Sequence, residues 1–160
     1  MRAFVITTFA LLVALVPAAA LAQDPAAAAA APAAAAPKVP FTTPAGILLV
    51  TIKTDKTAVF EELIGKLKAG AAKTQDEALK KQLTGLKFYK VSEPAPGGNV
   101  LYVILVEPSV SGSEYELFSM LQKTMTPDEQ RAPETQAMYT RFAEAFVSGL
   151  NKLSLTSVGG

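Results

Sequence analysis

Neither histidine nor cysteine occurs among the 160 residues, so any chemistry must be built from carboxylates, lysines, hydroxyls and tyrosines. That excludes Ser-His-Asp and Cys-His catalysis, histidine-ligated haem, and the common nitrogen and sulfur sites for zinc or copper. No disulfide and no lipid-bearing cysteine is available either, so stability has to come from the core. Three acidic pairs remain, Asp76/Glu77, Glu114/Glu116 and Asp128/Glu129. Paired carboxylates can serve acid-base catalysis or hold calcium. Each pair here opens a predicted helix, where capping and the helix dipole account for it without a ligand. Gly65 and Gly70 have phosphate-loop spacing, but Ala71-Ala72-Lys73-Thr74 follows where Lys and Ser/Thr must come directly after the glycine. Ser119 and Lys123 lie one helical turn apart, as a Ser/Lys dyad would, with no oxyanion hole legible beside them.

The residues best suited to a ligand are Lys53, Tyr89, Tyr102 and Glu107, which lie on or beside predicted strands. Tyrosine offers an apolar ring with a polar tip, so these four are expected to wall a cavity for a small organic ligand. The same tyrosines would also serve as ordinary core or interface residues. No catalytic residue, metal ligand or cofactor is assigned.

Those residues have to be positioned by the elements around them. Residues 46–53 (GILLVTIK) are an aliphatic and β-branched run too short for a buried helix, and predict strand 1. A helix follows, capped by Thr54 or Asp55, with Val59, Phe60, Leu63, Ile64 and Leu67 on one face and an end at Gly70. Thr74-x-x-Glu77 reads as a capping box for a short second helix closed by Gly85. Residues 86–92 predict strand 2 and residues 99–107 (NVLYVILVE) strand 3, joined as an antiparallel hairpin by Pro94-Ala95-Pro96-Gly97-Gly98. Ser113/Glu116 and Thr126/Glu129 mark two more helix starts, and Pro133 restarts the last helix. Met138, Phe142, Phe146, Leu150 and Leu153 form an apolar stripe, and residues 153–158 return as a short fourth strand.

The expected fold class is therefore α+β, with a β-α-β-β-α-β order, extra helices and an antiparallel sheet. Strands 1 and 3 are apolar on both faces: Leu48, Val50 and Ile52 oppose Ile47, Leu49 and Thr51, while Leu101, Val103 and Leu105 oppose Val100, Tyr102, Ile104 and Val106. Helices can cover one face, and baring the other would forfeit several kcal/mol at roughly 25 cal/mol per Å². A second copy of the chain is the expected cover, giving a twofold homodimer; the extra helices are the alternative cover, which would leave a monomer. In this order the pattern resembles the ferredoxin-like proteins of the dimeric α/β-barrel type, over residues 44–158. Members of that group include small oxygenases, haem-handling enzymes and binding proteins. Their haem-binding members depend on histidine, which this chain lacks, so no catalytic residue is carried over.

The ends and the charge set the cellular context. Arg2, the apolar stretch 4–16 and Ala20-Leu21-Ala22 read as a cleavable secretory signal over residues 1–22. Residues 23–43 read as a disordered Ala/Pro-rich tether, and residues 44–160 as the folded domain. Taking Arg2 from the 15 basic residues leaves 14 against 14 acidic ones, which gives no electrostatic footprint for nucleic acid. Lys80, Lys81, Lys87 and Lys90 read as a solvated face of mixed charge. The expectation is an exported protein, periplasmic or extracellular, with no membrane span after cleavage. It would be a non-enzymatic binding or interaction module with a small organic ligand or an envelope protein as partner; the alternative is a cofactor-independent enzyme working at the sheet face.

Overall fold

A computed structural model describes residues 39–158. Residues 1–22, read above as a signal, and residues 23–38 of the expected tether lie outside the described residues. Strand β1 (Ala45–Ile52) leads through a 3-10 turn (Thr54–Lys56) into α1 (Thr57–Lys73). Helix α2 (Glu77–Thr84) precedes the hairpin of β2 (Leu86–Ala95) and β3 (Asn99–Val106). Then come α3 (Leu117–Lys123), α4 (Pro127–Arg131), α5 (Pro133–Ala145) and β4 (Asn151–Leu155). The protein is α+β: the four strands form one sheet in the order β2-β3-β1-β4, every neighbouring pair antiparallel.

Local chemistry explains most boundaries. Gly97 and Gly98 turn the hairpin at φ 74° and 73°, a backbone region closed to most side chains. The β2–β3 register breaks between Lys90 and Pro94, and the proline, which has no N–H to donate, falls on the edge strand where it does least harm. Helix α1 runs past Gly70 to Lys73, and there the amide of Thr74 returns to the Gly70 carbonyl at 2.9 Å. A β-carbon on Gly70 would run into Thr124, so glycine serves helix packing there and not helix termination.

Two of the three expected capping boxes are replaced by simpler caps. Asp76, not Thr74, caps α2, accepting from the amides of Ala78 and Leu79 at 2.9 and 3.0 Å. Glu116 is itself the cap of α3, accepting from Phe118 and Ser119 at 3.1 and 2.6 Å, so Ser113 opens no helix. In both cases a carboxylate two or three residues ahead of the free amides outcompetes the more distant hydroxyl. Only Thr126 and Glu129 form the full reciprocal box.

Burial along β1 alternates strictly, with Leu48, Val50 and Ile52 fully buried beneath the helices. Tyr102, Ile104 and Val106 of β3 and Leu86 of β2 lie on the same covered face, opposite one another in register. Helices α1, α3 and α5 supply Phe60, Leu63, Leu67, Leu117, Met120, Leu121 and Phe142 to this core.

The packed unit starts earlier than residue 44. Val39 and Phe41, assigned to the tether by composition, are buried, and Phe41 packs edge-on against Tyr115 with centroids 5.3 Å apart. The backbone there is pinned as well: Tyr115 and Gly112 donate to the carbonyls of Val39 and Phe41. Phe41 occupies the space that a side chain at Gly46 would fill. A single phenylalanine with a glycine-shaped seat decides that boundary, and neighbouring prolines and alanines hide it.

Candidate functional site

On the other side of the sheet, no helix among the described residues covers the strands. Ile47 and Leu49 of β1 face Leu105 and Val103 of β3, all partly exposed, and Leu153 and Leu155 of β4 extend the strip. Leu153 is 50% exposed and Tyr89, opposite Val103 on β2, 53%. Polar groups rim this apolar centre. The ion pair Lys87–Glu107 (3.4 Å) stands at one end, and Thr51 and Asn151 stand toward the other. An apolar centre inside a polar rim is the usual anatomy of an interface.

The four residues picked for a ligand do not converge. Tyr89 is on the uncovered face opposite Val103, while Glu107 follows the end of β3 four residues farther on and pairs with Lys87. Lys53 follows the opposite end of β1, where its ammonium donates to the Glu144 carbonyl at 2.7 Å. Tyr102 is on the covered face and 2% exposed, because it pairs with Val50 and not with the outward positions. The period-two rule sends Tyr102 and Tyr89 to opposite sides, since Tyr89 pairs with Val103.

Tyr102 has a different job. Its hydroxyl donates to Glu61 of α1 at 2.8 Å, and Lys90 of β2 reaches the same oxygen at 3.1 Å. The Tyr102 ring lies 4.7 Å from that of Phe60. Burial first, then the Glu61 hydrogen bond, pushes the phenol well above its usual range, which keeps it protonated as a hydrogen-bond donor. The hydrogen bonds from Tyr102 and Lys90 in turn hold the Glu61 carboxyl below the ordinary range. The trio ties helix to sheet.

Each acidic pair has one member at a helix start, while Glu114 lies ahead of α3 and caps no amide. Asp76, Glu116 and Glu129 act as caps, and no cluster of three metal-ligating side chains occurs among the described residues. Ser119 donates toward Glu114 at 3.4 Å and not to Lys123, so the dyad is not assembled. Gly65 and Gly70 are inside α1, where no phosphate loop can form. The lysines of the basic set are neutralised in part by Glu77, Glu107 and Glu61.

A cleft that the sequence reading did not single out lies on the helical side of the sheet, under edge strand β4. Its volume is about 580 Å³, and Glu116, Phe118, Ala143, Phe146, Leu150 and Lys152 line most of it. Phe118 and Phe146 meet edge to face at 5.4 Å. Glu116 is 5% exposed, while Lys152 at the rim donates to the Pro40 carbonyl at 2.7 Å. Phe118 and Phe146 sit on apolar stripes that read as core; that they border a void is set by how far β4 stands from α3 and α5, for which sequence has no local signal. No helix of the described residues is long and apolar enough to cross a membrane. No family model matches the chain, and no curated protein or solved structure matches it.

Proposed function

We propose that this chain is an exported, non-enzymatic binding or interaction module that works as a homodimer, with the uncovered sheet face of one protomer closed by the same face of another. The ferredoxin-like reading of the sheet is supported by the order β2-β3-β1-β4, in which β1 and β3 are central and each crossover carries helices to one side. The observation that carries the proposal is the strip of Ile47, Leu49, Leu101, Val103 and Leu105, all partly exposed, with Leu153 exposed beside them.

Size supports a second copy as its cover. Eight-residue strands β1 and β3 run about 26 Å at about 3.3 Å per residue, and four strands about 4.8 Å apart span roughly 19 Å. That plan area comes to about 500 Å² before side-chain relief is added, against the ~800 Å² per partner of a standard interface. A face that is apolar at its centre and carries both members of an ion pair at its rim is complementary to itself under twofold rotation.

Binding is favoured over catalysis by the state of the ionisable groups. Glu116 holds two backbone amides at the start of α3, and Glu61 accepts from Tyr102 and Lys90, so both carboxylates already have structural work in the fold.

Size-exclusion chromatography with light scattering tests the proposal. At micromolar concentration the expected mass is twice that of one chain. Val103→Lys, which sets a charge between Leu49 and Tyr89, is expected to give a folded monomer. A monomeric parent protein at 100-fold higher loading than the variant would overturn the dimer.

A further inference from the structure

From the cleft beneath β4 we infer a binding site for a small organic ammonium ion with an aromatic or aliphatic body. This inference rests on the reading of the chain as a binding module, but it concerns the helical side of the sheet and not the face assigned to dimerisation.

Three features of the cleft carry it. Its volume of about 580 Å³ falls within the roughly 300–1,000 Å³ of small-molecule sites. Its walls are mostly apolar, and two of them, Phe118 and Phe146, are aromatic rings set edge to face. Phe118 also packs against Tyr139 and Phe142, so its ring is fixed by neighbours on α5 and cannot simply fold inward to fill the space. The one buried charge in the lining is the Glu116 carboxylate, 5% exposed. Two backbone amides fix its position, and each carboxylate oxygen has a second lone pair for a ligand donor.

Aromatic rings beside a carboxylate are a combination that favours organic cations. A carboxylate-bearing ligand would face Glu116 with like charge. Lys152, the other charge on the lining, does not compete for Glu116: it is held by the Pro40 carbonyl and lies 5.6 Å over the Phe41 ring, directed away along the rim. The Glu116 charge is felt nearby, since Tyr139 is pushed up by burial first and by that carboxylate second.

The chain contains no tryptophan, so indole fluorescence reports on an added probe without background. Tryptamine, an indole carrying an ammonium, is titrated against the full chain by fluorescence anisotropy, with indole-3-propionate as the isosteric anion. Saturable binding of one tryptamine per chain is expected, with the propionate binding at least about tenfold more weakly. Glu116→Gln is expected to weaken tryptamine by about tenfold or more through loss of the charge-assisted contact. Because Glu116 also caps α3, a second variant is required: Ala143→Leu, on an exposed position of α5, fills the cleft without entering the core and is expected to abolish binding with an unchanged melting temperature. Equal binding of the anion, undiminished binding to Ala143→Leu, or no tryptamine binding to the folded parent chain would each overturn the site. Subunit mass by light scattering is read on the same samples, so failure here is separable from failure of the dimer.

Discussion

Tyr102, expected to wall a ligand cavity, lies on the covered face of the sheet. Its type and strand position are legible, but the face it occupies follows from β-sheet register, and that register puts its hydroxyl against Glu61 beneath α1. The pH consequence has a definite sign. The phenol is raised, so the stability it contributes is complete below the ordinary tyrosine value of about 10 and is lost as pH rises through the higher folded value. Tyr115 and Tyr139, also raised by burial, act in the same direction. Glu61 is lowered, so its contribution is present above the ordinary carboxylate value of about 4.3 and is lost as pH falls through the folded one. Tyr102→Phe is therefore expected to cost about 0.5–1.5 kcal/mol at neutral pH. It should also flatten both the acid and alkaline limbs of a melting-temperature profile, and limbs identical to those of the parent would contradict this account. Phe41 makes the complementary point about packing. Phe41→Ala should cost about 3–5 kcal/mol, measured by urea denaturation, whereas a residue in a true tether would cost nothing. Gly46→Ala should destabilise for the same reason, because its methyl needs the space of the Phe41 ring.

At the level of elements, the helices begin where carboxylates can reach free amides. Asp76→Ala removes two hydrogen bonds from the start of α2 and is expected to cost about 1 kcal/mol in thermal unfolding, with Asp76→Asn retaining most of it. Thr74→Ala, which touches the cap only through one 3.2 Å bond to the Asp76 amide, should cost less. That order of effects separates the observed cap from the box that the T-x-x-E spacing implies. Gly85 closes α2 as expected, and it also lies so near the Pro108 carbonyl that a β-carbon would come within 2.8 Å. Its φ of −74° is open to any residue, so glycine is required there by the approach of the loop after β3 and not by the helix end. The strands were legible because their aliphatic runs are too short for helices. The last one was read two residues late, since Asn151 and Lys152 belong to β4 while the predicted strand began at Leu153.

Across the whole molecule, the unanswered apolar face governs behaviour. If two chains close it, the melting temperature must rise with protein concentration, because association adds free energy only to the folded state. For the parent chain that slope is expected to be positive over a hundredfold dilution series, and for Val103→Lys it should vanish. Alternation along β1 and β3 determined by itself that both faces would be apolar, and the lack of histidine and cysteine determined which chemistries were closed, because both are properties of residue type and period. Only the tertiary structure decided which face the helices cover, that Val39 and Phe41 belong to the fold, and that Glu116, Phe118 and Phe146 border a cleft. Such facts depend on distances between elements far apart along the chain, and a periodic pattern fixes the direction of a side chain without fixing what stands opposite it.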